Sequence, residues 1–548
     1  MTFKRISLKS ILLAFIFILI SCTSKQEVDL IISQAQIYSV DQAFSTQEAM
    51  AIHQGKILAI GSNEDILAQY SSSNHQQKKG QFIYPGLIDA HAHLYNLGMQ
   101  MQQVNLTGFK SFDEVIQRIQ AFQQKNNKKY IIGRGWDQTK WPSQDFPTKD
   151  TLDVLFPDTP IALSRIDGHA MLCNTKALEL ANIDEETEVS GGAIFKNEKG
   201  ELTGVLIDNP MQMVFESFPE VTSQVIEKAL TEAEKVALSY GLTTISDAGL
   251  SRNVIETIDR LQQEDKMKIR LYAMVSNNAA DLDYYLSKPP YKTERLNVRS
   301  VKVYADGALG SRGAALKEPY SDHEGHFGSM VIGHDEFSKL AKRIAKTEFQ
   351  MNTHAIGDSA NISVLKTYQK LIGNQENRRW RVEHAQVLGN DDFSYFSKNI
   401  LPSVQPTHAT SDMYWAEDRL GSERIKNAYA YKKLLDQVGI LPLGTDFPVE
   451  KVSPMLTFYA AVSRQDTNAY PKGGFQPQNA LSREEALRGM TIWAAYSNFE
   501  EDEKGSLESG KFADFIVLNE DLMQVDLKKV PDLEVIETFI NGEKVYDQ

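Results

Sequence analysis

The sequence predicts an α/β protein centred on a barrel of about eight parallel strands, with a small β-domain made from both chain ends. Three observations lead there. From about residue 223 onward, apolar strand-like runs alternate with amphipathic helical runs. Short strand-like runs with no core of their own occur near both termini. Histidine, lysine and aspartate recur at the ends of the central strands, which is where a parallel barrel keeps its chemistry. At 548 residues the chain exceeds one small core, so two or more domains are expected.

The first central strand is expected over Ile83–Ala90, followed by His91 and His93. Residues i and i+2 of a strand share a face, so both imidazoles should aim at one point. Two aligned nitrogens can hold a divalent metal, but a tetrahedral site needs further ligands. The later strand-like runs are Thr243–Ala248, Ile269–Val275, Val298–Tyr304, Gln350–His354, Trp380–His384, Pro402–Thr407 and Leu441–Thr445. They offer Lys302 in the fourth strand, His354 ending the fifth, His384 ending the sixth and Asp446 after the eighth. Glu383, one residue before His384, should point to the opposite face. Helical patterns separate most of these runs, at Val254–Gln262, Asp335–Thr347, Ser359–Ile372 and Ala428–Val438. Ahead of them, Ser223–Tyr240 carries an apolar stripe closed by Gly241 at a C′ position.

Each candidate has a plainer reading beside the chemical one. Lys302 is either a neutral amine converted by carbon dioxide to a metal-bridging carbamate, or a lysine paired with Asp306 or Asp247. Asp446 is a ligand or a helix cap, since Pro448 and Val449 suggest a helix start. His354 and His384 are ligands or core histidines bonded to backbone. His408, after the seventh strand, could touch substrate. Asp167 and His169, in Asp167-Gly168-His169, could line the pocket or form an internal turn. Arg312 could pair with a substrate anion or with a surface acid. His53 and His75 belong to the small domain, and His323, His326 and His334 to a lid or surface excursion, Tyr320–His334.

At the chain ends, Leu30–Ile32, Ala35–Tyr38, Ala49–His53 and Lys56–Ala59 read as strands, Asn63–Tyr70 as a short helix and Ser71–Lys79 as a loop. They should pair with Phe515–Leu518 and Val535–Phe539, and Asn541-Gly542 signals a hairpin. The β-domain is thus expected over 29–82 and 500–548, with the barrel over 83–499. Between them, about 105–218 breaks the βα rhythm and reads as an inserted subdomain over the barrel mouth, with strands at Tyr130–Gly135, Pro160–Arg165 and Gly191–Phe195.

The first residues are not fold. Lys4, Arg5 and Lys9 precede the apolar run Ile11–Ile20, and Leu19-Ile20-Ser21-Cys22 follows. This resembles a bacterial lipoprotein signal peptide, residues 1–21, cleaved before a lipidated Cys22, with 22–28 as linker. The mature body is then expected in the cell envelope, exported and held to the membrane by its lipid anchor alone. Cys173 would be the sole remaining thiol, which excludes an internal disulfide. A net charge of −14 argues against nucleic acid as partner. A small-molecule substrate is expected, and self-association into a homo-oligomer is open.

Pro85-Gly86-Leu87-Ile88-Asp89-Ala90-His91-Ala92-His93 resembles the opening motif of the metal-dependent amidohydrolase superfamily. Lys302–Arg312, His354–Asp358, Arg381–Gln386 and Gly444–Pro448 resemble its amidohydrolase-3 (YtcJ-like) branch. Arg165–His169 and Gly505–Asp514 fit the same branch. Gly313-Ala314 departs from the Thr-Ala common there. The resemblance implies a distorted (β/α)8 TIM-like barrel, a β-sandwich built from both termini, and one or two divalent ions, usually zinc. It implies hydrolysis of a non-peptide C–N bond in an N-acyl or N-formyl substrate, with His91, His93, Lys302, His354, His384 and Asp446 as ligands and Asp446 as proton carrier. A deaminase is one rival, although no glutamate stands near Asp358 to serve a ring nitrogen. A catalytically idle exported binding lipoprotein is the other.

Overall fold

The computed structural model describes residues 25–189, 191–219 and 221–548. The expected leader 1–21 and Cys22 lie outside the described residues. The chain divides into two compact units, one formed by the chain up to Ala92 with Lys235–Arg252 and Lys268–Gln548, the other by His93–Glu234 with Asn253–Met267.

The first unit holds a curled parallel sheet. Its strands pair in chain order as β1 (Leu87–Ala92), β2 (Leu242–Leu250), β3 (Arg270–Val275), β4 (Leu296–Tyr304), β5 (Gln350–Ala355), β6 (Trp380–His384) and β7 (Ile400–Ser403). Tyr291–Lys292 adds a short antiparallel partner to β4. The eighth run, expected as a strand at Leu441–Thr445, is not a regular strand. It nevertheless links β7 back to β1. Val404 N donates to Pro442 O (3.2 Å) and Gly444 N to Val404 O (3.0 Å). On the other side Ala90 N donates to Leu443 O (3.1 Å) and Asp446 N to His91 O (2.8 Å). Regular pairing fails here because the segment is pressed too close: a Cβ at Gly444 would lie 2.6 Å from His91 N.

Two expected boundaries are corrected. Ile83–Ala90 is not one strand but parts of two, Phe82–Pro85 and β1, separated by Gly86. Gly86 donates its N–H to Asp514 O (2.8 Å), and a Cβ there would stand 2.3 Å from Thr243 Oγ1. The seventh strand stops at Ser403, because Pro406 opens a helix, Pro406–Asp412. Proline suits a first helical turn, where its missing N–H is not needed.

Both chain ends build two further sheets in this unit. One has four strands in the order Lys56–Gly61, Ala49–His53, Leu30–Ser33 and His75–Gln77. The other has six, in the order Glu543–Asp547, Val535–Ile540, Phe515–Leu518, Phe82–Pro85, Gln36–Tyr38 and Thr46–Gln47. One apolar cluster draws on both, including Leu30, Ile32, Met50 and Ile52 from the first and Ile37, Ile83, Phe515 and Phe539 from the second. Asn541 and Gly542, at φ 54° and 71°, make the expected hairpin turn. His75–Gln77 was expected as loop. It is an edge strand, held by backbone bonds to one neighbour, so it needs no apolar face. Arg270 of β3 joins the two halves of this unit. Its Nε and Nη2 donate to Asp514 Oδ2 (2.6 Å) and Oδ1 (3.0 Å), and the arginine is fully buried.

The second unit is built on a six-stranded mixed sheet, ordered Val104–Asn105, Ile131–Trp136, Ile161–Arg165, Ala170–Cys173, Leu202–Asp208 and Gly192–Lys196. The first three strands are parallel and the rest antiparallel. Alternation places Ile161, Leu163 and Leu172 in one apolar cluster and Ala162, Met171 and Cys173 in another, so both faces are covered. Helix Phe112–Asn126 packs into the first cluster through Val115, Ile119 and Phe122, and Ser111 caps it by accepting from Glu114 N. Among the described residues no helix is long and apolar enough to cross a membrane.

Candidate metal centre

β1 delivers His91 into a fully buried position. Its Nδ1 lies 2.6 Å from Glu383 Oε2, its Nε2 3.0 Å from Lys302 Nζ and 3.6 Å from Asp446 Oδ1. With Nδ1–H given to the carboxylate, Nε2 keeps its lone pair for a metal. Burial, reinforced by the Lys302 amine, holds this imidazole down to about 4, so it is neutral at pH 7. Burial works against ionisation of Glu383, but Arg381 and His91 hold it well below the ordinary carboxylate range. Arg381 is itself buried, donating to Glu383 Oε1 and to Ala90 O, each at 2.6 Å.

The other predicted donors gather at the same strand ends. Lys302 is 1% exposed, and burial pulls its amine down to about 8. Its contact is His91; the Asp306 carboxylate instead accepts the N–H groups of Ala315, Ile356 and Gly357. His354 ends β5 with Nε2 buried and lacking a hydrogen-bond partner, and burial beside Lys302 holds it down to about 3. His384 ends β6 at φ 71°, with Nδ1 2.6 Å from Gln405 Oε1 and its ring centroid 4.6 Å from that of His354. Its burial beside His354 holds it well below the usual imidazole value. Asp446 adopts φ 62°, a left-handed conformation that costs a non-glycine residue about 1–3 kcal/mol and recurs at functional sites. Asp89 braces the segment, accepting from Thr445 N (3.0 Å), Thr445 Oγ1 (2.7 Å) and His91 N (3.1 Å).

His93 immediately follows β1, and its ligand nitrogen falls in one group with those of His91 and Asp446, all within 4.8 Å of one another. A second group of the same kind joins His384, His408 and Asp446. Neutral imidazoles, a carboxylate and an orphaned buried nitrogen on His354 make a donor set that fits a divalent metal.

Glu383 is a correction: expected to face away from the site, it holds His91. The positive φ at His384 turns that side chain at the strand end, so both residues serve the interior. Arg381, two residues before Glu383 on a buried strand, was the available signal, because paired charges in an apolar run imply an internal network. Gln405 and Asp89 were also missed. Of the substrate candidates, His408 places Nε2 3.4 Å from Asp446 Oδ2. Arg312 is held by Asp322, with Nε and Nη2 at 3.1 and 2.9 Å, so its plainer reading applies. Asp167 and His169 form a bonded turn in the second unit. Asp167 accepts from His169 N (3.1 Å) and pairs with Arg165, while His169 Nδ1 lies 2.8 Å from Asp208 Oδ1.

Neutral imidazoles and an aspartate, set at the C-terminal ends of parallel strands, define a metal-dependent hydrolase. The chain belongs to the amidohydrolase family, whose pattern matches residues 79–546. It is 33% identical to the protein LONG AFTER FAR-RED 3 of Arabidopsis thaliana, over 94% of this chain and 91% of that one. It is 32% identical to YtcJ of Bacillus subtilis, named for the amidohydrolases, over 93% and 98% of the two chains. An N-substituted formamide deformylase of Arthrobacter pascens is 24% identical over 95% and 98%. An uncharacterised metal-dependent hydrolase of Pyrococcus horikoshii superposes with a TM-score of 0.78 at 27% identity, covering 91% of this chain and 99% of that one.

Proposed function

We propose that this protein hydrolyses a non-peptide C–N bond of amide, N-acyl or N-formyl type in a small molecule. The observation that carries this reading is that His91 and His384, buried and held neutral, meet the Asp446 carboxylate at the strand ends together with His93 and His408. The formamide deformylase among the relatives supports the bond type. A divalent ion, zinc in this reading, held by His91, His93 and Asp446 with Lys302, His354 and His384 completing one or two positions, would lower the pKa of water to about 7 and polarise a carbonyl. Glu383 fixes the tautomer and aim of His91, and Gln405 does the same for His384. Asp446 takes the proton of the attacking water and returns it to the departing nitrogen. Lys302 is the residue for carbamate formation: its neutral amine bonds to the carbon of CO2 and releases one proton. His408 faces the same carboxylate as the ligands. Export and a lipid anchor on Cys22 rest on the leader sequence.

The test is metal analysis of purified protein, joined to a turnover screen of N-formyl and N-acyl amines after zinc loading. Turnover that disappears in a His91→Asn, His93→Asn double variant together with its metal is the expected result. Full hydrolysis by a metal-free double variant would overturn the reading. Tight binding without turnover would favour the idle binding protein.

A further inference from the structure

We infer that the second unit holds an anion-binding cavity, framed by Arg118 and Arg134, that takes a small organic anion: a carboxylate or phosphate head on an apolar body. None of the residues lining it is among the metal donors, so the site stands whether or not the protein is a hydrolase.

The cavity measures about 450 Å3, inside the range of roughly 300–1,000 Å3 usual for small-molecule pockets. Two arginines line it and no carboxylate does. The contrast within the unit is what marks them. It has four arginines, Arg118, Arg134, Arg165 and Arg260. Arg165 pairs with Asp137 (2.9 Å) and with Asp167, and Arg260 with Glu227 (2.7 Å) and Glu264 (3.1 Å). Among the described residues, the side chains of Arg118 and Arg134 make no ion pair and no hydrogen bond, and these are the two that share the cavity. The Arg134 guanidinium lies 3.5 Å from the place a Cβ on Gly168 would take, beside the 167–169 turn, yet the Asp167 carboxylate of that turn is engaged by Arg165. A guanidinium is always charged, and its fork of donors matches a carboxylate or a phosphate. In a chain of net charge −14, two uncompensated cations in one concavity concentrate positive field there and draw an anion in.

The frame is firm. Arg118 stands on helix Phe112–Asn126 and Arg134 on strand Ile131–Trp136. One apolar cluster holds both elements, through Val115 and Ile119 of the helix and Ile131 and Trp136 of the strand. Both charges thus rest on packed secondary structure rather than on loops, which keeps a site precise. Gln100 and Asn105 add amides to the lining. Asn105 Oδ1 accepts from Thr107 N (2.9 Å), which leaves its NH2 to donate. The apolar side is Met101 and Ile166, 42% and 44% exposed. A bare inorganic ion leaves those side chains in water, whereas an anion with an aromatic or aliphatic body covers them.

The experiment measures binding of para-bromophenylacetate, para-bromophenyl phosphate and inorganic phosphate to the full-length protein by calorimetry. It compares wild type, Arg118→Gln, Arg134→Gln and the His91→Asn, His93→Asn double variant. Wild type should bind at least one organic anion more tightly than inorganic phosphate, and the tighter of the two names the head group. Each arginine variant should lose at least about tenfold in affinity, the size of one charge-assisted hydrogen bond, and the double histidine variant should keep the binding. R118K and R134K retain the charge without the fork and should recover part of the loss. No binding of either organic anion, inorganic phosphate bound as tightly as both, unchanged affinity in R118Q and R134Q, or binding lost in the double histidine variant overturns the site. Anomalous diffraction from the bromine tests it without a substitution: a peak in this cavity supports it, and a peak only elsewhere removes it.

Discussion

Glu383 Oε2 lies 2.6 Å from His91 Nδ1, and neither side chain has any exposure to solvent. A carboxylate on the far nitrogen of a ligating histidine fixes ring orientation and raises basicity. Glu383→Gln keeps the shape but weakens that hold. Metal affinity should fall about 10–100-fold, read by competition with a chromogenic chelator. An unchanged affinity would mean that Glu383 serves only Arg381.

The Arg270–Asp514 pair should be costly to break from one side. Both groups are buried, and removing the guanidinium strands a carboxylate in a dry interior. Arg270→Ala should lose about 3–5 kcal/mol. The expected reading is a lower urea midpoint for the first unfolding transition, whereas a change within ~0.5 kcal/mol would show that water reaches Asp514.

Asp89 gives a pH signature in the metal-free protein. Burial pushes its carboxyl up to about 7. The unfolded chain titrates near 4, so between about pH 4 and 7 folding takes up a proton at this residue. That contribution to stability is complete below pH 4 and is lost as pH rises through 7. Asp89→Asn cannot titrate. The stability of wild type minus that of D89N, from urea curves of chelated protein, should therefore decline across this window. A difference that grows with pH would contradict the assignment.

Cys173 is wholly buried, and burial pushes its thiol far up. Native protein should resist a thiol-alkylating reagent at pH 8, with Cys173 modified only after denaturant is added. Rapid labelling of Cys173 under native conditions would contradict the packing of the second unit.

The donors were legible because chemistry and periodicity agree at strand ends. His91, Lys302, His354, His384 and Asp446 are polar residues closing apolar runs, and a parallel sheet brings such ends together. What escaped were places where geometry breaks the period. Glu383 was misplaced because strand alternation says nothing about a positive φ one residue later. The Leu441–Thr445 segment read as a strand, but close approach to His91 leaves it irregular. His75–Gln77 and Val104–Asn105 are edge strands whose partners lie elsewhere in the chain, so no local pattern marks them. His408 was expected just after the seventh strand; it sits on the short helix Pro406–Asp412, which no local pattern marked.

The split of the predicted first strand at Gly86 also bears on biosynthesis. Phe82–Pro85 lies between Gln36–Tyr38 and Phe515–Leu518, and β1 continues directly from it with His91. A nascent chain emerging from the ribosome has made the metal-bearing strand long before that last neighbour exists. Pairing across so wide a sequence interval is slow, and until it forms the intermediate exposes apolar edges. The centre is thus completed only after synthesis is nearly finished, so a polypeptide truncated near its C-terminus should engage chaperones or proteases rather than persist as a partly working enzyme.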